Sequence, residues 1–169
     1  SGPIPLMYCI NEVGRNVMQG GSRRSAIYGS LNWQHQDARE FLQIKNWKDM
    51  PIHEGYSMWD AKQDNFNFAC PLDMTNISLN YDDDWLDDRL NETFLENCRQ
   101  AMSTGEPGFS FNFGEKQNET LRNACTEVCS ADDSDVCNLG SVNIGAIQSI
   151  EEFKEVVRVA SKFLVCGTV

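Results

Sequence analysis

Apolar side chains return every three or four positions in several stretches of the chain, a spacing that predicts amphipathic helices. These stretches cover residues 5–18, 38–44, 85–103 and 151–164. The first should stop at Gly20-Gly21, and the third at the turn Gly105-Glu106-Pro107-Gly108. The pattern therefore predicts four helices spread over the whole chain.

Short runs typical of strands separate these helices. Residues 109–113 alternate strictly between phenylalanine and polar residues, which predicts a half-buried strand. Residues 26–33 and 77–79 also favour strands, and residues 136–147 favour a strand or a loop. Residues 46–66 have no clean period and predict an irregular surface excursion. Strands that alternate with helices indicate an α/β fold with much of the sheet parallel.

Length and charge exclude several classes of protein. The 169 residues, 41% of them hydrophobic, suffice for one domain with a core. The net charge of −11 argues against a protein that binds nucleic acid through a basic face. No apolar run is long enough for a membrane span, and no export signal is present, which favours a cytoplasmic protein. The chain begins at Ser1 and ends at Val169, and both ends look cut from something longer. We therefore expect a single incomplete segment of a domain.

The chain holds seven cysteines, an odd number that fits reduced thiols better than a disulfide framework. Cys125, Cys129 and Cys137 are the cysteines closest in sequence and so the candidates for metal binding. Their spacings of four and eight, with only His35 and His53 elsewhere, form no paired zinc or iron–sulfur motif, so no metal ligand is predicted. The other cysteines lie on or near apolar faces and are expected to be small hydrophobic residues: Cys9, Cys70, Cys98 and Cys166.

Two segments carry candidate chemistry. Asn123, Cys125 and Glu127 are spaced so that in an extended loop all three side chains would face one cavity, where amide and carboxylate could hold a polyhydroxylated substrate beside the thiol. Cys137 follows twelve residues after Cys125. The second segment is Gln19-Gly20-Gly21-Ser22-Arg23-Arg24, in which glycines free the backbone and arginines offer planar forks to phosphates or base edges. By itself this segment also fits a turn with solvated arginines.

The chain resembles the catalytic subunit of ribonucleotide reductases at four motifs that occur in the family's order. They are Ser1-Gly2-Pro3, Gln19-Gly20-Gly21-Ser22-Arg23-Arg24-Ser25-Ala26, Gly105-Glu106-Pro107-Gly108, and the pair Asn123-Ala124-Cys125-Thr126-Glu127 with Cys137-Asn138-Leu139-Gly140-Ser141-Val142-Asn143. The resemblance is weakest over residues 46–75. It implies part of a ten-stranded α/β barrel with a central finger loop. Many relatives have Pro and Gly where this chain has Ala124 and Thr126, positions that serve as spacers.

The resemblance implies a radical reduction of ribonucleotides to 2′-deoxyribonucleotides, the precursors for DNA replication. Cys125 would carry a thiyl radical, Glu127 would be the base for the 3′-hydroxyl, and Asn123 would orient the ribose hydroxyls. Cys137 would be one member of a reducing dithiol whose partner lies before Ser1, so the fragment alone should be inactive. A thioredoxin-like protein would restore the dithiol. Cys129 is an additional thiol close to the site, and the resemblance assigns it no role.

In the family, the loop that corresponds to Gln19, Gly20, Gly21, Ser22, Arg23 and Arg24 lies between the effector nucleotide and the substrate base. The implied partners are a ribonucleoside di- or triphosphate, a deoxynucleoside triphosphate effector, the remaining segments of the reductase and, as an open possibility, a second copy in a homodimer. The motif spacing is most similar to adenosylcobalamin-dependent relatives, including phage forms, which would act in the host cytoplasm. The alternative radical source is a separate dimetal subunit.

Two other functions stay open from the residues alone. One is a non-catalytic nucleotide-binding or regulatory module that keeps the barrel segment. The other is a thiol redox or metal-binding protein built on Cys125, Cys129 and Cys137.

Overall fold

The computed structural model describes residues 2–18, 20–114, 121–130 and 136–167. The chain divides into two compact units, Ser1–Cys129 and Ser130–Val169. In the described residues, no helix combines the length and the apolar character that a membrane crossing requires.

The first unit alternates helices and strands. Its elements are α1 (Pro3–Asn16), β1 (Ile27–Asn32), α2 (Ala38–Gln43), a 3-10 turn (Trp47–Asp49), β2 (Pro51–His53), β3 (Tyr56–Ser57), α3 (Met58–Asp64), β4 (Thr75–Tyr81), α4 (Asp83–Asp87), α5 (Glu92–Thr104), β5 (Gly108–Phe111), β6 (Leu121–Arg122) and β7 (Cys129–Ser130), the last of which reaches the unit boundary. The predicted first two helices and the predicted strands in residues 26–33, 77–79 and 109–113 are confirmed.

Strands β1, β4 and β5 form a parallel sheet in the order β1-β4-β5. Leu31 is in register with Leu79, which in turn is in register with Phe109. The predicted α/β fold with parallel strands is therefore confirmed. The described residues contribute three strands to this sheet, and the ten-stranded barrel stays a prediction.

The two faces of the sheet differ in chemistry. On one face, Ile77, Leu79 and Tyr81 are buried in a core with residues of α1 and α2. Tyr81 also packs against an aromatic group contributed by α4, α5 and β5: Trp85, Phe94, Phe109 and Phe111. The opposite face carries hydroxyl and amide side chains, namely Ser78, Asn80, Ser110 and Asn112.

The alternation in β5 is confirmed, but its polar side chain is buried and its phenylalanines are partly exposed, the reverse of what hydrophobicity alone predicts. Ser110 is 2% exposed, whereas Phe109 and Phe111 are 36% and 43% exposed. The buried polar groups satisfy one another, because the Ser110 hydroxyl donates to Asn80 Oδ1 and accepts from the Asn112 side chain. Burial along this strand therefore follows hydrogen bonding as well as hydrophobicity.

Two predictions about helices were wrong. The predicted helix over residues 85–103 is two helices, α4 and α5, because the Asn91 side chain accepts a hydrogen bond from Phe94 N and begins a new helix there. The predicted irregular excursion contains a short hairpin and helix α3. A capping box between Ser57 and Asp60 starts α3, and this signal is visible in the sequence.

The second unit contains an irregular stretch followed by a helix. Residues 136–143 form no strand, a 3-10 turn follows at Ile144–Ala146, and α6 spans Ile150–Cys166. The Asn138 side chain donates to Leu164 O at 2.8 Å, which ties the irregular stretch to the helix. The last predicted helix is therefore confirmed, and the stretch at 136–147 is a loop.

Candidate functional site

Residues 123–128 form a tight turn, here called the Cys125 turn. Asn123 N donates to Val128 O at 3.3 Å and Thr126 N donates to Asn123 O at 3.0 Å. The Asn123 side chain donates to Glu127 Oε1 at 2.7 Å and accepts from Val128 N at 3.1 Å. Cys125 lies between these residues and is exposed.

The prediction of an extended loop was wrong in its geometry. Alternate side chains share a side only while the backbone stays extended, and here the hydrogen bond from Thr126 to Asn123 folds it into a turn. The turn nevertheless brings Asn123 and Glu127 into direct contact. The amide and the carboxylate thus form one polar pair within the turn that presents the Cys125 thiol.

Thr126 has a left-handed backbone, with φ of 69°. A Cβ in this conformation crowds the neighbouring carbonyl oxygen and costs about 1–2 kcal/mol, more for a branched side chain. The position that looked like a spacer in the sequence therefore has a specific conformational role. In the family that the sequence resembles, many members carry glycine at this position.

Replacing Thr126 with glycine is expected to stabilise the Cys125 turn. Glycine loses more conformational entropy on ordering, which offsets part of the steric strain that is removed. Hydrogen exchange at the amides of residue 126 and Val128 should therefore slow by about three- to fivefold. Hydrogen exchange followed by NMR measures both amides. Thr126→Ala keeps the Cβ and should give a smaller change; exchange in the glycine variant as fast as in the wild type would contradict the prediction.

The Cys125 turn is fixed to the polar face of the sheet at two points. The Asn76 side chain donates to Ala124 O at 2.5 Å. Arg122, directly before the turn, donates to Asn112 Oδ1 at 3.0 Å, and Asn112 in turn donates to Asn80 Oδ1. Asn76 and Asn80 lie near opposite ends of β4, so the two contacts attach the turn near both ends of this strand.

Sequence reasoning missed these anchoring residues, although one signal was present. In β4, the polar residues Asn76, Ser78 and Asn80 alternate with buried apolar ones. A strand with amide and hydroxyl side chains on one face and hydrophobic residues on the other indicates a polar partner on that face. The Cys125 turn is that partner at Asn76, and Arg122 reaches the same face through Asn112.

Cys129 lies at the base of the turn. Arg122 Nη1 is 2.7 Å from its sulfur, and the two residues belong to the paired strands β6 and β7. The Cys129 sulfur therefore accepts a hydrogen bond from the arginine that anchors the turn.

Cys137 is exposed and belongs to the second unit, in the irregular stretch that Asn138 ties to α6. Cys125 belongs to the first unit. The role of Cys137 as one member of a reducing pair stays a prediction.

The second candidate segment is called the glycine–arginine loop, residues 18–26. Gly20 and Gly21 have φ of 61° and 74°, a left-handed conformation that glycine adopts without steric cost. Ser22, Arg23 and Arg24 are exposed, as are both glycines. Gln19 lies outside the described residues. Ser25 Oγ donates to Val17 O at 2.9 Å and closes the loop across its two ends.

A buried carboxylate that sequence reasoning missed holds the helix that leads into this loop. The side chain of Asp73 is 0% exposed and pairs with Arg15, in the last turn of α1, and with Lys62 at 2.7 Å. Asn11 also donates to it at 3.4 Å. Burial alone would raise the pKa of Asp73, but the hydrogen bonds from Arg15, Lys62 and Asn11 outweigh it and hold the pKa at about 2.

The turn Gly105-Glu106-Pro107-Gly108 has a structural role. Gly105, with φ of 87°, ends α5. Glu106 accepts from Ile77 N at 2.9 Å and from Lys45 Nζ at 2.5 Å, which ties the turn to the start of β4. Burial lowers the pKa of Lys45, and the neighbouring Glu106 carboxylate opposes that shift.

Among the described residues, no group of three or more histidine, cysteine or acidic side chains is arranged to hold a metal ion.

Comparison with known proteins places these features in a family context. The model of the family described as "Ribonucleotide reductase, barrel domain" matches residues 1–77 and 89–166. The vitamin B12-dependent ribonucleoside-diphosphate reductase of Thermoplasma acidophilum is 25% identical over 198 aligned positions, which cover 97% of this chain and 23% of that enzyme. The chain thus spans less than a quarter of this relative. No solved structure matches it significantly.

Proposed function

Since the chain belongs to the ribonucleotide reductase family through its barrel domain, we propose that it supplies part of the catalytic site for reducing ribonucleotides to 2′-deoxyribonucleotides. The observation that carries the proposal is the Cys125 turn, in which an exposed thiol is flanked by a hydrogen-bonded amide and carboxylate. It would work together with segments that supply the rest of the catalytic domain.

The polar face of the sheet and the Cys125 turn suit a ribose substrate. Asn123 offers both donors and an acceptor, and Glu127 accepts. When a ribose binds, its 3′-hydroxyl would take the place of the Asn123 amide as a donor to the Glu127 carboxylate, which becomes the base for that proton. Asn123 would then be able to bond the neighbouring hydroxyl.

The reaction balances with the groups named. A thiyl radical on Cys125 removes the hydrogen atom from C3′, Glu127 holds the 3′-hydroxyl proton, and the 2′-hydroxyl leaves as water. Two thiols supply two electrons and two protons and close to a disulfide, after which Cys125 returns the hydrogen atom to C3′. The sum is ribonucleotide plus dithiol giving deoxyribonucleotide, disulfide and water.

Cys137 is proposed as one thiol of that dithiol, and its mate would be supplied from outside this chain. Its exposure suits thiol–disulfide exchange with a thioredoxin-like reductant. The chain by itself would therefore not complete a turnover.

Adenosylcobalamin is the proposed radical source, and the name of the Thermoplasma relative supports this choice. When bound, it supplies the radical that Cys125 receives. The exposed Cys125 thiol fits a source that approaches from outside the turn, and we assign no residue of this chain to holding the cofactor. A separate dimetal subunit is the alternative source.

The glycine–arginine loop is proposed to contact nucleotides. Arg23 and Arg24 would bind phosphate oxygens or base edges of the ribonucleotide substrate or of a deoxynucleoside triphosphate effector. The left-handed glycines allow the loop to change its path, which coupling between an effector site and a substrate site requires. The proposed setting is the cytoplasm, or the host cytoplasm for a phage-encoded reductase, with a homodimer as the possible assembly.

A reconstitution assay tests the proposal. The chain is combined with the segments that complete the catalytic domain, a dithiol, and ribonucleoside di- or triphosphates. Deoxyribonucleotide formation should depend on adenosylcobalamin, and omission of the cofactor is the control. The two substrate series show which phosphorylation level the enzyme takes.

Other results would favour other functions. Product with a dimetal subunit and none with adenosylcobalamin would replace the cofactor assignment. Nucleotide binding without product under either condition would favour the regulatory module, and stoichiometric zinc or iron in the purified protein would favour a metal-binding thiol protein.

A further inference from the structure

Arg24 of the glycine–arginine loop is held by a segment that the family resemblance covers most weakly. Its guanidinium carbon lies 4.3 Å from the centroid of the Phe66 ring, and its Nη2 donates to Asn67 Oδ1 at 2.8 Å. Phe66 is 67% exposed. A large apolar ring at such an exposed position gains little from burial, and Arg24 is the nearer of the two cations that lie over it.

The platform under Arg24 is itself well ordered by local hydrogen bonds. Phe68 N donates to Asn65 O at 2.8 Å, and Asn67 N donates to the Asn65 side chain at 3.0 Å. Lys62 donates to Phe68 O at 2.8 Å and lies 5.5 Å from the Phe66 ring centroid. These bonds make a fixed turn after α3, with Phe66 and Asn67 displayed on it.

The same segment also holds the entrance to the loop. Lys62 pairs with Asp73, and Asp73 pairs with Arg15 at the end of α1. The loop is therefore fixed before its glycines and again at Arg24, while Gly20 and Gly21 lie between the two fixed points. Movement of the loop toward a nucleotide requires one of these attachments to open.

The attachment at Arg24 is the one built to open. The Asp73 network is buried, whereas the contact of Arg24 with Phe66 and Asn67 is solvent-exposed. Exposed cation–π contacts and single hydrogen bonds are weak, and a guanidinium forms stronger, bidentate bonds to phosphate or to a base edge. Because Phe66 fixes the plane of the guanidinium and Asn67 fixes its position on a turn that does not belong to the loop, Arg24 can follow the loop toward a nucleotide only when both contacts break.

We propose that Phe66 and Asn67 are positioning residues that hold Arg24 in a resting position, from which it must be released when the glycine–arginine loop engages a nucleotide. This inference rests on the proposed function of the loop. It predicts the direction of the change in nucleotide affinity. Contacts that stabilise only the resting state oppose nucleotide binding, so their removal should strengthen nucleotide binding. If Phe66 and Asn67 instead supported Arg24 in its binding position, their removal would weaken binding.

The test measures binding of deoxynucleoside triphosphates to the reductase assembled as in the reconstitution assay, by equilibrium dialysis and without turnover. The variants Phe66→Leu and Asn67→Ala should each bind the effector about fivefold more tightly, the low end of typical coupling between sites. Trp59→Leu is the matched control, because Lys48 lies 5.2 Å from that ring in a separate cation–π pair.

The outcomes separate the two proposals. If the unmodified assembly binds nucleotide and both variants bind equally well or more weakly, the resting position is wrong and the proposed function stands. If the unmodified assembly binds no nucleotide, the proposed function of the loop fails and this inference fails with it. Faster amide exchange at residues 22–26 in both variants, and not in Trp59→Leu, is the expected structural signature, and unchanged exchange would overturn the resting contact.

Discussion

Replacing Cys125 with serine is expected to reduce deoxyribonucleotide formation by at least about a thousandfold, which corresponds to about 4 kcal/mol of lost transition-state stabilisation. A thiol gives up its hydrogen atom far more readily than a hydroxyl, so serine cannot carry the radical that the proposed reaction needs. The substitution changes one exposed atom at the turn, and the hydrogen bonds of Asn123 with Glu127 and Val128 do not involve it. Nucleotide binding by the variant should therefore match the wild type.

The matched control is Cys129→Ser, in β7 directly after the Cys125 turn. Its hydroxyl can still accept the hydrogen bond from Arg122 that the sulfur accepts now. Most of the activity should remain, as measured by product formation under identical cofactor and dithiol concentrations. Equal loss in both variants would point to damage to the turn, and full activity of Cys125→Ser would remove Cys125 from the reaction.

The helices and the parallel sheet were predictable because their signals are local. Helical periodicity gave α1, α2 and α6, and the alternation of helices with strands gave the sheet. The errors arose where a single helix N-cap decided where a helix begins. Asn91 divides a continuous helical pattern, and the Ser57–Asp60 box starts a helix in a stretch without periodicity.

That Asn123, Cys125 and Glu127 lie close together was predictable from the sequence, whereas the geometry of the turn was not. The motif around Cys125 identified the thiol, the amide and the carboxylate, but the left-handed Thr126 and the turn it allows are not evident from the residue types. Asn76 and its partner Ala124 lie 48 residues apart in sequence, and Arg122 and its partner Asn112 lie 10 residues apart. Such contacts depend on the sheet register, which sequence pattern alone does not specify.

The buried network of Asp73 shows the same limit and provides the largest expected effect on stability. Replacing Asp73 with asparagine should lower the free energy of unfolding by about 2 to 4 kcal/mol, because it removes the buried carboxylate of an ion-pair network and leaves Lys62 unpaired and Arg15 with only the exposed Glu12. Urea denaturation followed by tryptophan fluorescence measures the change. Asp87→Asn, on an exposed position of α4, is the matched control and should change stability by less than about 0.5 kcal/mol.

The pH dependence of stability separates the charge of Asp73 from its shape. The pKa of this carboxyl is about 2 in the folded chain, against an ordinary value of 3.8. A lowered folded-state pKa contributes stability above the unfolded pKa, and that stability is lost as the pH falls through the folded pKa. The stability advantage of the wild type over Asp73→Asn should therefore shrink by about 2 kcal/mol between pH 5 and pH 2. An advantage that is constant over this range would mean that asparagine fails through packing, and that the ionised carboxylate is not what holds α1 to the rest of the first unit.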